Sequence, residues 1–341
     1  MLLELILIFI VALILIKLII VNAPGLGLVD VPNKRSMHTN HHPRGAGIGV
    51  FLAIAMVEPF FDFTLLLEHF LSCLAIFFVF VVGVLDDHRD ASPNTKFLII
   101  AFSALLVYLD DIYINTLGHL FGFEISLGWF ALPFTVFAIV GFSNALNLID
   151  GLDGLAGLVS MVILATLFSI GYSYEDAFLM VLSGSFMAGV AAFMIYNWNP
   201  ASIFMGDSGS LVLGFVISLL VIKAAEYVHP VSVLFIIAVP LLDTIIVMVR
   251  RKMQGRSMFA ADKTHMQHIL YLFFNKDVKK TVLFLAMLQV LYSITALQIV
   301  NSADETMSLI LFGLNVIVMY FVFSGMLRRQ ILIDEKYGES R

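Results

Sequence analysis

Residues 2–20 read LLELILIFIVALILIKLII, an apolar run broken only by Glu4 and Lys17. Crossing the hydrocarbon core of a bilayer takes about 20 predominantly apolar residues, so this stretch reads as a membrane span. No basic cluster precedes it. Val21-Asn22-Ala23 imitates a cleavage site, but Pro24 follows directly, so the segment reads as a retained span and not as a removed signal. The same reading carried along the chain finds apolar segments at 2–22, 45–61, 65–85, 95–110, 128–146, 155–171, 177–196, 209–226, 231–249, 281–301 and 306–327. The fold class expected is an all-α polytopic membrane protein of about 11 transmembrane helices. Residues 112–127 are apolar but interrupted by Asn115, Gly118, Gly122 and Glu124, and read as an outside loop or hairpin.

Composition agrees. The 341 residues are 60% hydrophobic and 13% charged, with mean hydropathy +0.99. Soluble domains hold about 25% charged residues, so this chain cannot cover a soluble surface of its size. One cysteine, Cys73, excludes a disulfide scaffold. A net charge of −6 gives no basic field, so no nucleic-acid partner is expected.

Lysine and arginine orient the spans, because cytoplasmic loops carry the excess. With the N-terminus outside and the C-terminus cytoplasmic, 17 of the 19 Lys and Arg fall inside. They include Lys34, Arg35, Arg44, Arg89, Lys96, Arg250, Arg251, Lys252, Arg256 and Lys263. A span miscounted by one would scatter these charges over both faces. No internal repeat or low-complexity segment is visible, so residues 1–341 form one membrane domain. Its cytoplasmic loops lie around 30–47, 86–96, 144–157, 197–210 and 250–280. The last of these is basic and could carry an amphipathic segment lying on anionic lipid.

The polar clusters lie in those loops. Gly83-Val-Leu-Asp86-Asp87 ends the third span; adjacent carboxylates repel each other unless a cation or a proton intervenes. Asn144, Asn147, Asp150 and Asp153 recur every three residues through a glycine-rich stretch where a helix would break. Asn197-Trp-Asn-Pro-Ala-Ser-Ile-Phe204-Met-Gly206-Asp207 leads into the eighth span, where Asp207 also suits an N-cap. His265 and His268 share one helical face. Asp243 lies inside the ninth span, and an ionisable residue at that depth is functional or paired within the bundle. Asp86, Asp87, Asp150, Asp153 and Asp207 brought to one site would need a cation. Hard oxygen ligands suit Mg²⁺, which keeps positions open for water and substrate phosphate.

The motifs G-V-L-D-D, N-x-x-N-x-x-D-G-x-D-G-L, N-x-x-P-A-x-x-F-M-G-D-x-G-S and H-x-x-H, in this order between Asp30 and His268, resemble those of the polyprenyl-phosphate N-acetylhexosamine-1-phosphate transferases, glycosyltransferase family 4. The segment P-N-K-R-S-x-H…P-R-G-A-G is more similar to the O-antigen and enterobacterial common antigen initiating members than to the peptidoglycan translocase. The resemblance implies transfer of a sugar-1-phosphate, N-acetylglucosamine-1-phosphate first among the candidates, from a UDP-N-acetylhexosamine to undecaprenyl phosphate. UMP leaves, and Mg²⁺ is required, with Mn²⁺ as a substitute. It implies a bacterial inner membrane location with the active site facing the cytoplasm. By position, Asp86 resembles the acid that deprotonates or positions the lipid phosphate, with Asp87 beside it, and Asp207 resembles the metal ligand. Asn147 and Asp150 resemble residues lining the diphosphate and metal site. Asp153 and Phe204 resemble uracil contacts, and Asn197 a nucleotide-site residue. His265 and His268 resemble members of the histidine motif. Arg44 and Lys96 resemble basic residues around the phosphates. Gln267 stands where the family has a third histidine. The donor sugar (FucNAc and QuiNAc are alternatives) and the oligomeric state, a homodimer included, stay open. A secondary transporter is the alternative of a different class; acids at cytoplasmic helix ends and the lack of a repeat weigh against it.

Overall fold

The computed structural model describes residues 1–30, 41–89, 91–258, 264–300 and 304–338, the side chains of the last helix as far as Arg329. Lys34, Arg35 and Lys263, singled out in the sequence, lie outside the described residues, as does the histidine of the P-N-K-R-S-x-H segment, His38. The helices are α1 (Leu2–Leu26), α2 (Ala46–Val57), α3 (Phe63–Glu68), α4 (Phe70–Arg89), α5 (Pro93–Leu109), α6 (Ala131–Ile149) and α7 (Leu155–Tyr174). They continue with α8 (Ala177–Asn197), α9 (Asp207–Ala224), α10 (Pro230–Ile236), α11 (Ala238–Met253), α12 (Met266–Phe273), α13 (Val278–Ile299) and α14 (Glu305–Gly338). Two short antiparallel ladders complete the described chain: β1 (Val29–Asp30) with β2 (His42–Pro43), and β3 (Thr116–Leu120) with β4 (Phe123–Ser126). The second is a hairpin in the segment read as a loop or hairpin.

Every one of the eleven apolar segments contains helix, but not eleven full spans. Among the described residues, eight helices are long and apolar enough to cross a membrane: α1, α4, α6 with the turn before it, α7, α8, α9, α13 and α14. α2 has 12 residues and α5 has 17, about 18 and 26 Å at the helical rise. The segment 231–249, read as one straight span, is two helices meeting at 87°. Pro240 sits in the first turn of α11, where its ring excludes a straight continuation from Ile236. Such a break strands backbone groups in an apolar interior. Gln289 of α13, fully buried, meets them: its Nε2 donates to Ile236 O at 2.7 Å, and its Oε1 accepts from Val239 N at 3.0 Å.

The bundle is organised around α9. Nearly all its residues are buried, the pattern of a helix apolar on every side and enclosed by others. It packs against α2, α4, α6, α7 and α8. Small residues let the backbones approach. A Cβ on Gly47 of α2 would lie 2.1 Å from Gly209 N, and one on Gly83 of α4 would lie 2.6 Å from Ser208 Cα. The N-terminus of the central helix is therefore gripped from two sides, and Asp207 is its first residue. α12 is the short amphipathic helix of the 250–280 loop. It buries Met266, Gln267, Ile269 and Leu270 and contacts α13 and α14.

Candidate functional site

Asp87, at the end of α4, starts α9 from outside. Its Oδ1 accepts from Asp207 N at 2.8 Å and its Oδ2 from Ser208 N at 3.0 Å. Two of the four orphan donors at that helix start are thus satisfied by a carboxylate. Gly206 makes this approach workable. It has φ 74°, and a Cβ there would lie 2.5 Å from Asp87 Oδ2, so no other residue fits.

Fixed in this way, Asp207 faces a charged cluster. Lys96, in the first turn of α5, stands 2.8 Å from Asp207 Oδ2 and 3.1 Å from Asp86 Oδ1. Ser92 caps that turn by accepting from Thr95 N at 3.1 Å, with Pro93 at the first helical position. Asn147, in the last turn of α6, donates to Asp207 Oδ1 at 3.0 Å and to Ser210 Oγ at 2.8 Å. Four helices and three of the four motifs, with Lys96, therefore meet at one carboxylate. The cluster is reachable from solution: the Lys96 and Asp207 side chains are 26% and 22% exposed.

The glycine-rich stretch after α6 breaks as expected, and Asp150 is the half-buried residue that ends the helix. Burial pushes its carboxyl up to about 7, and the charges of Asp207, Asp87 and Asp153 push the same way. Asp153 Oδ2 accepts from Asn199 Nδ2 at 2.8 Å and from Ala201 N at 3.0 Å. Asn197 is buried and braces the same two loops: its Oδ1 accepts from Gly154 N at 2.7 Å, and its Nδ2 donates to Ile203 O at 2.8 Å. Phe204 N donates to Pro43 O at 2.9 Å, and its ring lies 5.0 Å from that of His42. Arg44 follows in the same strand-to-helix corner, its N donating to Leu28 O at 3.0 Å.

The histidines arrive from the other side. His265 is buried, and its Nδ1 lies 2.6 Å from Asp243 Oδ2; Met266 N donates to Asp243 Oδ1 at 2.6 Å. Asp243, fully buried in α11, thus starts α12 as Asp87 starts α9. The His268 ring centroid is 6.3 Å from that of His265. Gln267 Nε2 donates to Leu148 O at 3.1 Å, which docks the start of α12 onto the end of α6 beside Asp150. Arg250 and Arg251 hold the segment between α11 and α12 through Thr264 O and Met258 O, at 2.8 and 2.6 Å.

The five carboxylates do not close around one point. Asp86 and Asp207 share Lys96, Asp87 and Asp153 hold backbone N–H groups, and Asp150 stands at the helix end. Asp86 and Asp207 can hold Mg²⁺: two hard oxygens already converge on one cationic centre, and one or two carboxylates with substrate phosphates are the usual complement of that ion. Sequence reading held Ser210 within a motif but gave it no role, although it shares Asn147 with Asp207, and it missed the pairing of Asp243 with His265. Ser210 was visible as the residue one helical turn from Gly206. The Asp243 pairing spans 22 residues across a helix break and had no local signal.

The sequence pattern of glycosyl transferase family 4 matches residues 69–225, which takes in α4 to α9 and Asp86, Asp87, Lys96, Asn147 and Ser210 around Asp207. A probable undecaprenyl-phosphate N-acetylglucosaminyl 1-phosphate transferase of Bacillus subtilis (strain 168) is 32% identical over 304 residues, covering 87% of this chain and 84% of its own. An undecaprenyl-phosphate alpha-N-acetylglucosaminyl 1-phosphate transferase of Escherichia coli O157:H7 is 30% identical, covering 73% and 70%. One of the same description from Yersinia pestis is 32% identical, covering 72% and 70%.

Proposed function

This chain belongs to glycosyl transferase family 4, the polyprenyl-phosphate N-acetylhexosamine-1-phosphate transferases, and from that premise we propose that it transfers N-acetylglucosamine-1-phosphate from UDP-N-acetylglucosamine to undecaprenyl phosphate and releases UMP. The relatives' descriptions support the transferred N-acetylglucosaminyl 1-phosphate and the undecaprenyl-phosphate acceptor. The observation that carries the chemistry is the Lys96 ammonium held between Asp86 and Asp207, 3.1 and 2.8 Å away, at the start of the buried central helix. It is a cation-binding acidic pair beside a fixed positive charge, which phosphoryl transfer between two anions requires.

The apolar helices bring the polyprenyl acceptor to the bundle laterally, and the nucleotide reaches the same end from the cytoplasm. That end is therefore the cytoplasmic one, with the N-terminus outside. α2, α5 and the bent pair α10–α11 complete eleven membrane segments, in keeping with the lysine and arginine asymmetry. Mg²⁺, or Mn²⁺ in its place, held by Asp207 with Asp86, supplies charge neutralisation on the diphosphate when bound.

The protein's own groups do the rest. Asn147 holds Asp207 Oδ1 and so orients Oδ2 toward the substrate. Asp86 positions the lipid phosphate or takes its proton, and Lys96 offsets its charge. A lipid phosphate oxygen then forms a bond to the β-phosphorus. The bond from that phosphorus to the bridging oxygen breaks, and the electron pair leaves with UMP. Such a step depends on alignment and charge stabilisation more than on covalent help. His265 and His268 donate to the sugar phosphate, and Arg44 adds positive charge at the corner with Phe204. Asp153 presents the oxygen not used by Asn199 and Ala201 to the uracil, with Phe204 as a flat apolar face. Asn197 keeps these two loops in register.

The test is UMP release by purified protein given undecaprenyl phosphate, UDP-N-acetylglucosamine and Mg²⁺. Asp207→Asn and Asp86→Asn should each lower turnover at least about a hundredfold, the size of a lost electrostatic group. Near-normal UMP release by Asp207→Asn would remove the metal assignment. Lipid product formed only from a different UDP-sugar would correct the donor.

A further inference from the structure

Away from the site, at the N-terminus of α1 and the far end of α2, three carboxylates converge. Glu4, Glu58 and Asp62 each place one oxygen so that all three lie within 4.8 Å of one another. Glu4 is 1% exposed and Glu58 4%; Asp62 is half-buried. Three like charges this close repel strongly unless a cation or a proton sits among them.

The cluster does not rest on acidity alone. The Glu4 and Glu58 carboxyl groups lie against each other, and Glu4 Oε1 and Glu58 Oε2 are buried and receive no hydrogen bond from any N–H or hydroxyl donor. A buried acceptor left without a donor is costly, and more so when charged. The remaining oxygens have partners: Ser185 Oγ of α8 donates to Glu58 Oε1, and the Met1 amine stands 3.5 Å from Glu4 Oε2. Asp62 adds a third sign. It occupies the N-cap position of α3, where an aspartate ordinarily accepts a backbone N–H, yet its side chain makes no capping bond. It contributes its oxygen to the trio instead.

A shared proton would neutralise one carboxylate and leave two. A divalent ion neutralises two charges and satisfies both stranded oxygens at once. Ca²⁺ binds oxygens at about 2.3–2.6 Å, so ligands on opposite sides of it stand about 4.6–5.2 Å apart, and it accepts hydroxyls and waters in a flexible shell. The all-oxygen carboxylate set, the Ser185 hydroxyl beside Glu58 and the half-open side at Asp62 suit that pattern.

We propose that Glu4, Glu58 and Asp62 form a Ca²⁺ site that ties α1, α2 and the turn before α3 together at the end of the bundle opposite Asp207. The site is independent of the catalytic reading. Its connection to the catalytic end is mechanical: Gly47, against Gly209, and Glu58, just beyond Val57, lie at the two ends of α2, which has 12 residues and a length of about 18 Å. The ion would set the position of the helix that grips the start of α9.

The experiment uses the full chain in detergent, stripped with chelator and titrated with Ca²⁺ by calorimetry. Thermal melting is followed with and without the ion. Wild type and Asp207→Asn should both bind Ca²⁺ at this site and melt higher with it. Glu58→Gln should bind one Ca²⁺ fewer and lose the melting response. Asp62→Asn, at the half-open side, should fold even if Glu58→Gln does not; it should bind Ca²⁺ at least about tenfold more weakly and keep UMP release. Equal Ca²⁺ affinity and an equal melting response at limiting Ca²⁺ in wild type and Asp62→Asn would overturn the site. So would a wild type indifferent to Ca²⁺ while Glu58→Gln melts higher in chelator, the signature of a shared proton.

Discussion

Two helices here are started by carboxylates from other helices, and the two starts differ. Asp87 commits both oxygens to consecutive backbone N–H groups of α9, at 2.8 and 3.0 Å. Asp243 divides its oxygens between a backbone N–H of α12 and the Nδ1 of His265, both at 2.6 Å. The first start fixes a helix and, through it, Asp207. The second fixes a helix and a side chain together. Asp87 is thus the anchoring half of the Asp86–Asp87 pair, and Asp86 is the half that faces the cation. Asp243 accepts from Nδ1–H of His265, so the ring's other nitrogen, Nε2, is the one left for the sugar phosphate, a control of ring orientation that a helix cap alone would not give.

The largest effect expected from this contrast is at Asp87. Asp87→Ala leaves two buried N–H groups without an acceptor, at about 1–3 kcal/mol each, and releases the backbone of Asp207. Melting temperature and UMP release should fall together, turnover by about a hundredfold or more. Unchanged melting with turnover lost would make Asp87 a reacting group and erase the distinction from Asp86.

Asp243→Asn comes next. An asparagine oxygen can still accept from Met266 N, so the helix start survives. Its NH₂ then faces His265 Nδ1 and forces that nitrogen to become the acceptor. Turnover should fall about ten- to a hundredfold, as when an outer partner of a site histidine is lost, with melting little changed and the pH–rate profile shifted. A profile superimposable on wild type would reduce Asp243 to a cap like Asp87.

Asp150 lies between the two starts, beside Gln267 of α12 and within reach of the Asp207 and Asp87 charges. Its carboxyl is pushed up to about 7, so the folded protein holds this proton more tightly than the unfolded chain does. The stabilisation is present at low pH and is lost as pH rises from the ordinary carboxylate range through about 7. In chelator, melting temperature should fall over that window, and Asp150→Asn should flatten the fall. A divalent ion at Asp207 should also flatten it, because added positive charge opposes the upward shift. A slope identical in Asp150→Asn and wild type would place the titration elsewhere.

These differences mark what the sequence could and could not carry. Apolar runs of about 20 residues need only composition, so α1, α7, α8 and α13 were legible, and so was the 116–126 hairpin, from its interrupting polar and glycine residues. The break at Ile237 was not. Pro240 is one residue in a uniformly apolar run, and the partner that makes the break tolerable, Gln289, lies 53 residues beyond Ile236. Motif spacing placed Asp86, Asn147 and Asp207 at one end of the bundle. It could not say which carboxylates hold backbone, because Asp87 and Asp153 find their N–H partners 121 and 48 residues away. The Glu4, Glu58 and Asp62 trio was hidden for the same reason: Glu4 read, with Lys17, as an interruption of an apolar span.

The smallest effect is expected at a helix start of the ordinary kind, which calibrates the other two. Ser92 caps its own helix, α5, at an exposed position, and water can replace its hydroxyl when the residue is truncated. Ser92→Ala should cost about 1 kcal/mol. Lys96 lies one turn inside that helix, but its ammonium is held by Asp86 and Asp207 and not by the cap, so turnover should stay within about threefold of wild type, less than 1 kcal/mol of barrier. A fall comparable with Asp87→Ala would mean that the Lys96 position depends on the start of α5 as closely as Asp207 depends on the start of α9. The cluster would then be held from two helix starts and not from one.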